Sequence, residues 1–327
     1  MLSYNVENLF DDRERGTEYP QYRSPGWTRE LYHRKLAAVA RAVRAASPGG
    51  PDILCLQEIE SEAAVRELRD RHLRALGYNY LVFVPQEGTA TTVACLSRLP
   101  VVQTRVHEVG RFEDVPLRHI LEIRIEHEGS TLYLFNNHWK SKTGGVQRTA
   151  AARRAAASIL TRRVREILDG CPRADLLVLG DLNENLDERE QAGGRYRSAT
   201  VVLPKGGSSG GQPVISLQPD VLFVTACTEA AGLRGGRVVL YEPWFELPPK
   251  RRGSSVYQGR WQTPDRILLS AGLFDGEGFH YVDGSFAPVT ARFLLDPGSG
   301  FPRRWQSNPR SGGTSDHLPV RLALERL

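Results

Sequence analysis

At 327 residues the chain is long enough for roughly two average domains or for one large α/β domain. With 40% hydrophobic and 25% charged residues it can bury a core and is not globally disordered, and no apolar run approaches the roughly 18 residues of a membrane span. The net charge of +5 is a weak hint of a polyanionic partner, because nearly all the basic residues are Arg, as GC-rich coding alone would give, with Lys only at 35, 140, 142, 205 and 250. Cys55, Cys95, Cys171 and Cys227 lie far apart in no CxxC or Cys/His cluster, which argues against zinc; Cys55 and Cys95 sit in apolar runs and read as small buried hydrophobes. The start MLSYNVENLF has neither a charged n-region nor an apolar h-region. Compartment therefore stays open: cytoplasmic as written, secreted if the N-terminus is trimmed or misassigned.

In chain order, short β-rich runs alternate with a few amphipathic helices. Strands are predicted at Leu2–Val6, Asp52–Gln57, Tyr80–Pro85, Thr91–Ser97 and Val101–Val109. Ile120–Glu126 and Thr131–Asn136, joined by HEGS, form a predicted hairpin. Further strands are expected at Leu176–Gly180, Val221–Val224, Val238–Tyr241, Arg266–Ser270 and Pro319–Leu324. Helices are predicted over Arg29–Ala46 with Thr28 as N-cap, over Glu62–Leu76 after Ser61, and over Gln147–Leu168 with several Arg on a solvated outer face. Composition makes 191–212, 243–262 and 296–314 long loops. With no repeat and no compositional break, residues 1–327 read as one domain.

The chemistry-bearing residues share one placement, next to an apolar run that would deliver them to one rim of a sheet. Asn5 follows Leu2-Ser3-Tyr4, Glu58 ends ILCLQ, and Asn137-His138 ends Leu132–Phe135. Asp181 and Asn183 follow Leu176–Gly180, Asp265 opens the run at Ile267–Leu269, and Asp316-His317 precedes Pro319-Val320. One such residue would be unremarkable; six sites in one chain are hard to assign to chance. Carboxylate and amide oxygens suit a hard divalent cation such as Mg²⁺, and two His among oxygen ligands suit acid–base work better than zinc binding. The chemistry so implied is metal-assisted in-line attack of an activated water on a phosphoester.

Taken together, MLSYNVENLFD, LCLQEIE, NNHWKSK, VLGDLNEN, TPDRILLS and SDHLPV resemble the endonuclease/exonuclease/phosphatase superfamily, which contains deoxyribonuclease I, over about residues 2–324. The resemblance implies an α/β fold, a four-layer sandwich of two packed mixed sheets flanked by helices, with the site at one end. It implies Glu58 as principal Mg²⁺ ligand, with Asn5 and Asp316 supporting the metal and its waters. Mn²⁺ is an alternative, and Ca²⁺ a structural ion. His317 would be the base that activates water, oriented by Asp265. Asp181 and Asn183 would line the scissile phosphate, Asp181 as base, acid or ligand. His138 is similar to the second His of the deoxyribonuclease branch, a donor to phosphate, whereas the abasic-site repair branch has Tyr there. Glu87 would be the carboxylate partner of His138, and Arg118, Lys140 and Lys142 would contact phosphate. Trp139 is expected to pack on the sheet rather than stack a base.

For the substrate, the implied activity is a divalent-metal-dependent phosphodiesterase, a nuclease on DNA or RNA, acting as a monomer without a membrane partner. NHWKSK followed by GG and a helix is similar to bacterial DNA-degrading members. The loops before Asp265 and Asp316 hold Lys250-Arg251-Arg252, Arg260-Trp261 and Arg303-Arg304-Trp305, suited to backbone contact and base stacking; Arg251, Arg252 and Trp261 are the substrate-binding candidates among them. TPDRIL is also similar to the PxWxDRI segment of inositol polyphosphate 5-phosphatases, without their Cys, so an inositol phosphate or nucleotide is the alternative substrate. A non-catalytic nucleic-acid binder using the same groove is the second alternative.

Overall fold

The computed structural model describes residues 1–203, 220–307 and 312–327. The GGSSGG stretch of the predicted 191–212 loop, and positions 308–311 of the predicted 296–314 loop, lie outside the described residues. Thirteen strands carry the fold: β1 Leu2–Leu9, β2 Ile53–Ile59, β3 Tyr80–Phe83, β4 Thr92–Ser97, β5 Val101–His107, β6 Ile120–His127, β7 Ser130–His138, β8 Asp175–Asp181, β9 Thr200–Leu203, β10 Leu222–Thr225, β11 Arg237–Tyr241, β12 Asp265–Leu269 and β13 Val320–Arg321. The first sheet runs β13-β1-β2-β4-β3, with Ala287–Pro288 outside β13. The second runs β9-β10-β11-β12-β8-β7-β6-β5, with Gly232–Arg234 added to β11. Both sheets are mixed: β1 pairs β2 and β7 pairs β8 in parallel, while β12 lies antiparallel to β8.

Side-chain alternation explains the layers. In β2, Leu54 and Leu56 face the helix α1 (Arg29–Ala46), packing with Leu36, Val39 and Val43. Ile53 and Cys55 point the other way, meeting Ile123, Leu134, Leu177 and Ile267 of the second sheet. In β8, Leu177 and Leu179 join that middle layer, while Leu176 and Val178 pack under the helix α3 (Val146–Gly170) with Ala157, Leu160 and Val164. With side chains pointing to opposite faces at period two, near-continuous apolar strands of this kind must be covered on both sides. The result is the expected α/β/β/α order. Thr28 caps α1 by accepting from the Leu31 amide, and Cys55 and Cys95 are fully buried as expected.

Several expectations are corrected. The helix predicted over Glu62–Leu76 is α-helical only as α2 (Glu62–Glu67); a wider turn follows over Leu68–His72, where the Leu73 amide reaches back to the Leu68 carbonyl, then a 3-10 turn over Arg74–Leu76. The widening lets both Leu68 and Leu73 face the core. The strand predicted over Pro319–Leu324 divides, because Val320–Arg321 pairs with β1 whereas Leu324–Arg326 pairs with Phe279–Tyr281. Within the 191–212 loop, Thr200–Leu203 is a strand parallel to β10. The 243–262 loop holds 3-10 turns at Pro243–Glu246 and Pro249–Arg251 and a hairpin of Ser255–Tyr257 with Arg260–Gln262. On α3 the Arg face is not wholly solvated: Arg153 is fully buried and paired with Glu184 at 2.7 Å.

Candidate active site

The register of the second sheet places His138, Asp181 and Asp265 side by side: Asp181 faces His138 on β7 and Asp265 on β12. Gly180 takes φ +119°, and a Cβ there would run into the Asn137 backbone, so the GDLN string needs its glycine for the close strand approach. From the first sheet come Asn5 and Glu58. The pairing of β1 with β2 loses register between Asn5 and Leu9, and Glu7, Asn8 and Glu58 all have positive φ. This irregularity is a bulge-like departure from the ladder that turns Glu58 toward the rim. A polar staple joins the sheets just behind: Gln57 Nε2 donates to Asn136 Oδ1 at 2.7 Å, and Asn136 Nδ2 donates to the Leu56 and Ala94 carbonyls.

At the rim, Asn5 Nδ2 donates to Asp181 Oδ2 at 2.9 Å and to Glu58 Oε1 at 3.2 Å, while its Oδ1 accepts the Glu7 amide. Glu58 Oε2 accepts the Asn8 amide at 2.8 Å. Burial, and then the charge of Asp316, push the Glu58 carboxyl up; burial also raises Asp181. His317 Nδ1 meets Asp265 Oδ2 at 2.7 Å, and its Nε2 lies 4.0 Å from both Asp181 Oδ2 and Asp316 Oδ1. Burial alone would lower the His317 pKa, but the charge and hydrogen bond of Asp265, with Asp316 and Asp181 behind, raise it well above the usual value. His138 moves the opposite way, lowered by burial and then by Arg118, His317 and Lys140. Its Nε2 lies 3.7 Å from Asp181 and 3.8 Å from Glu58, and its buried Nδ1 has no hydrogen-bond partner among the described residues.

The other expected site residues are placed as follows. The Asn183 amide nitrogen donates to Asp181 Oδ1 and its side chain to the Trp139 carbonyl. Trp139 is buried, as expected, and its Nε1 donates to Asn137 Oδ1. Arg118 donates to the Thr91 carbonyl and its charge acts on both Glu58 and His138. The Lys140 ammonium has no partner among the described residues, its carbonyl accepting from Arg153, whereas Lys142 is taken up by Glu188 at 2.5 Å, a buried carboxylate that competes with any phosphate. Glu87 is exposed beside Arg15, Gln86 and Thr89 and does not reach the orphan Nδ1 of His138, so the structure does not bring that pair together. Arg252 is held back by the Leu247 carbonyl and the Phe245 ring; Arg251 is exposed, and Trp261 is 38% exposed against Phe301.

Sequence reasoning missed several residues that position the site. Ser254 Oγ donates to Asp265 Oδ2 at 2.6 Å, Ser255 Oγ to the Asp316 carbonyl, and Trp244 Nε1 to the Asp265 carbonyl. Fully buried Lys35 donates to the Thr314 carbonyl at 2.7 Å. Glu7 accepts from Arg304 and from the Trp305 amide, and Arg304 also pairs with Asp316. The signal for Ser254 and Ser255 was their place in RRGSSVYQGRW shortly before Asp265; nothing local marked Lys35.

Among the described residues, Asp181, Asp265 and His317 bring ligand-type atoms within 4.8 Å of one another, a group able to hold a cation. Within it the 2.7 Å bond commits His317 Nδ1 to Asp265, which leaves carboxylate oxygens as the better donors. The carboxylates of Glu58 and Asp316 stand at the same rim and would add oxygens to that of Asp181; burial first, then neighbouring carboxylate charge, raises both Glu58 and Asp181. An all-oxygen donor set of this charge fits a hard divalent cation.

An α/β/β/α sandwich with His, Asp and Glu gathered at one end of both sheets defines a phosphoester-hydrolase type of site. Residues 1–195 match the endonuclease/exonuclease/phosphatase family, and the chain belongs to it. No curated protein matches the sequence. Among solved structures, truncated Caenorhabditis elegans TDP2 is 18% identical, with 98% of this chain and 94% of that one covered and a TM-score of 0.54. D. rerio TDP2 complexed with single-strand DNA product is 16% identical over 89% and 93%, with a TM-score of 0.51. The mannosyl-6-phosphatase Bt3783 of Bacteroides thetaiotaomicron is 14% identical over 99% and 98%, with a TM-score of 0.55. At these identities the likeness is one of fold.

Proposed function

We propose that the protein is a divalent-metal-dependent phosphodiesterase acting as a nuclease, with DNA as its substrate. The observation that carries this reading is the row His138–Asp181–Asp265 with His317 bonded to Asp265 and turned toward Asp181. Glu58, Asn5 and Asp316 would hold Mg²⁺ or Mn²⁺, with Asp181 beside them. When bound, the cation polarises a phosphate oxygen and offsets the negative charge gathered at the site. Asp265 holds His317 by Nδ1, and with a bound cation offsetting the carboxylates that raise the His317 pKa, Nε2 would be free to take the proton of the attacking water. His138, kept neutral by burial, donates to a non-bridging oxygen, and Asn183, one of whose Nδ2 hydrogens goes to the Trp139 carbonyl, would give the other to a second. Arg118 and Lys140 supply positive charge along the substrate path. The TDP2 structure holding single-strand DNA product supports a nucleic-acid substrate on this fold.

A small phosphorylated substrate is the second reading, supported by the likeness to a mannosyl-6-phosphatase. One panel tests both: purified protein with Mg²⁺, Mn²⁺ or EDTA against plasmid DNA, single-stranded DNA, RNA, inositol phosphates and sugar phosphates, with His317→Ala as control. The nuclease reading expects nicking and then degradation of plasmid, abolished by EDTA and by His317→Ala. Intact nucleic acid alongside rapid phosphate release from a small substrate overturns it.

A further inference from the structure

Beside the site, between the hairpin formed by Arg111-Phe112 and Val115-Pro116 and the first turn of α3, lies a cavity of about 230 Å³. Its walls include Phe112, Val115, Pro116 and Leu117, and its rim includes Lys140 and Thr143. Its place follows from the chain: Leu117 adjoins Arg118, and Lys140 comes two residues after His138. Complete small-molecule sites usually span roughly 300–1,000 Å³, so this cavity has room for one ring system and not for a whole substrate. It therefore reads as an annex to the main site.

The cavity is anchored and its charge is uneven. Glu113 and Asp114 both adopt left-handed conformations, φ +48° and +61°, closing the hairpin with a tight two-residue turn. Glu113 then accepts two hydrogen bonds from Arg148 of α3, both at 2.6 Å, which fastens the hairpin wall to the helix and matches the Arg148 charge. Lys140 has no such match. Its ammonium makes no hydrogen bond or ion pair among the described residues; the charges of Arg118, Arg153 and Arg148 act on it, offset in part by that of Glu113. The cavity thus offers an apolar slot lined in part by a cation with no direct partner among the described residues, close in the chain to the row that would act on a phosphoester.

We infer that this cavity is a flanking-nucleotide subsite, seating the base or sugar of the residue next to the scissile phosphate against Phe112, Val115 and Pro116, with its outer phosphate on Lys140. The inference rests on the nuclease reading for the chemistry of its occupant. An apolar slot of this kind accepts any base by its face, so it confers affinity for a polynucleotide with little sequence preference. It also gives the site a reason to favour a diester within a chain over an isolated phosphate group.

The test reads binding, so it does not depend on turnover. In a His317→Ala background with Mg²⁺ present, a fluorescently labelled thymidine oligomer is titrated by anisotropy across a salt series. Lys140→Gln removes the charge and Thr143→Trp, at an exposed position, fills the slot. The subsite expects Lys140→Gln to lower the slope of log K against log salt by about 0.7, the share of one single-strand phosphate contact. It expects Thr143→Trp to weaken binding about 10-fold with the slope retained. Unchanged slope in the first variant, wild-type affinity in the second, or no oligomer binding by the parent overturns the subsite. If both variants change binding as expected while the wild-type protein cleaves no nucleic acid, the subsite stands and the nuclease reading falls. If plasmid is degraded but neither variant alters binding, the reverse holds.

Discussion

Replacing Asp265 with Asn keeps the size of the side chain and removes the charge on which His317 leans. The bond between Asp265 Oδ2 and His317 Nδ1 is 2.7 Å long. A hydrogen bond to a charged group contributes about 1.5–3 kcal/mol. The ion–ion attraction that develops when His317 takes a proton adds about 3 kcal/mol at a charge separation of about 5 Å and an effective dielectric of about 20. Together these amount to about 5 kcal/mol, or roughly three to four decades in rate. An Asn that turns its amide nitrogen toward Nδ1 would also impose the wrong tautomer, so the loss should lie at the upper end. Folding should be little affected, because the Asn oxygen can still accept from Ser254 Oγ and the backbone carbonyl from Trp244. The assay is kcat on plasmid or on bis-p-nitrophenyl phosphate with saturating Mg²⁺, alongside a thermal melt of each protein. A loss of less than about 10-fold with an unchanged melt would show that His317 does not work through Asp265.

Two further predictions concern the scaffold. Arg153→Met strands the fully buried Glu184 and should cost about 3–5 kcal/mol in urea unfolding, whereas Arg153→Met with Glu184→Leu should recover most of it; equal loss in both would mean the pair is not the cause. Glu122 is pushed up by burial, but hydrogen bonds from His107 and Arg163 outweigh this and hold it at about 2, below its ordinary 4.5. A carboxyl depressed in the fold stabilises above the unfolded value and ceases to as pH falls through the folded one, so up to about 3 kcal/mol should disappear between pH 4.5 and 2. Urea midpoints of wild type and Glu122→Gln should therefore converge on acidification, and parallel curves would refute the assignment.

The layered fold was legible because its signals are local. Apolar runs such as ILCLQ and LLVLG must be buried on both faces, and the stripe Leu36, Val39, Val43 must meet one of them. Recognition of the site residues came from strings at strand ends, and the register then aligned His138, Asp181 and Asp265. What stayed hidden depends on distant partners. Nothing near Arg153 distinguishes it from the neighbouring Arg residues; Glu184, brought beside it by the turn after β8, supplies the countercharge, while Thr149 Oγ1 and the Lys140 and Val146 carbonyls take its other N–H groups. Lys142 and Glu188 meet in the same way, and that bond removes a side chain from the expected phosphate contacts. Glu58 reaches the rim through a break in strand register, and side-chain periodicity assumes an unbroken ladder.

The staple of Gln57 and Asn136 has a consequence for how the two halves of the site stay aligned. Asn5, Glu58 and the segment leading into β13 belong to one sheet, and His138, Asp181 and Asp265 to the other. The apolar layer between them holds the sheets together, but apolar attraction itself has no preferred direction. A slide of a single residue would displace one half by about 3.4 Å, more than any hydrogen bond here could span. The directed bonds of this amide pair, with those of Asn5 to Asp181 and His317 to Asp265, act as dowels between two plates. Precision at the reacting atoms and cohesion of the core are thus separate properties, and a greasier pair at 57 and 136 could preserve the second while losing the first.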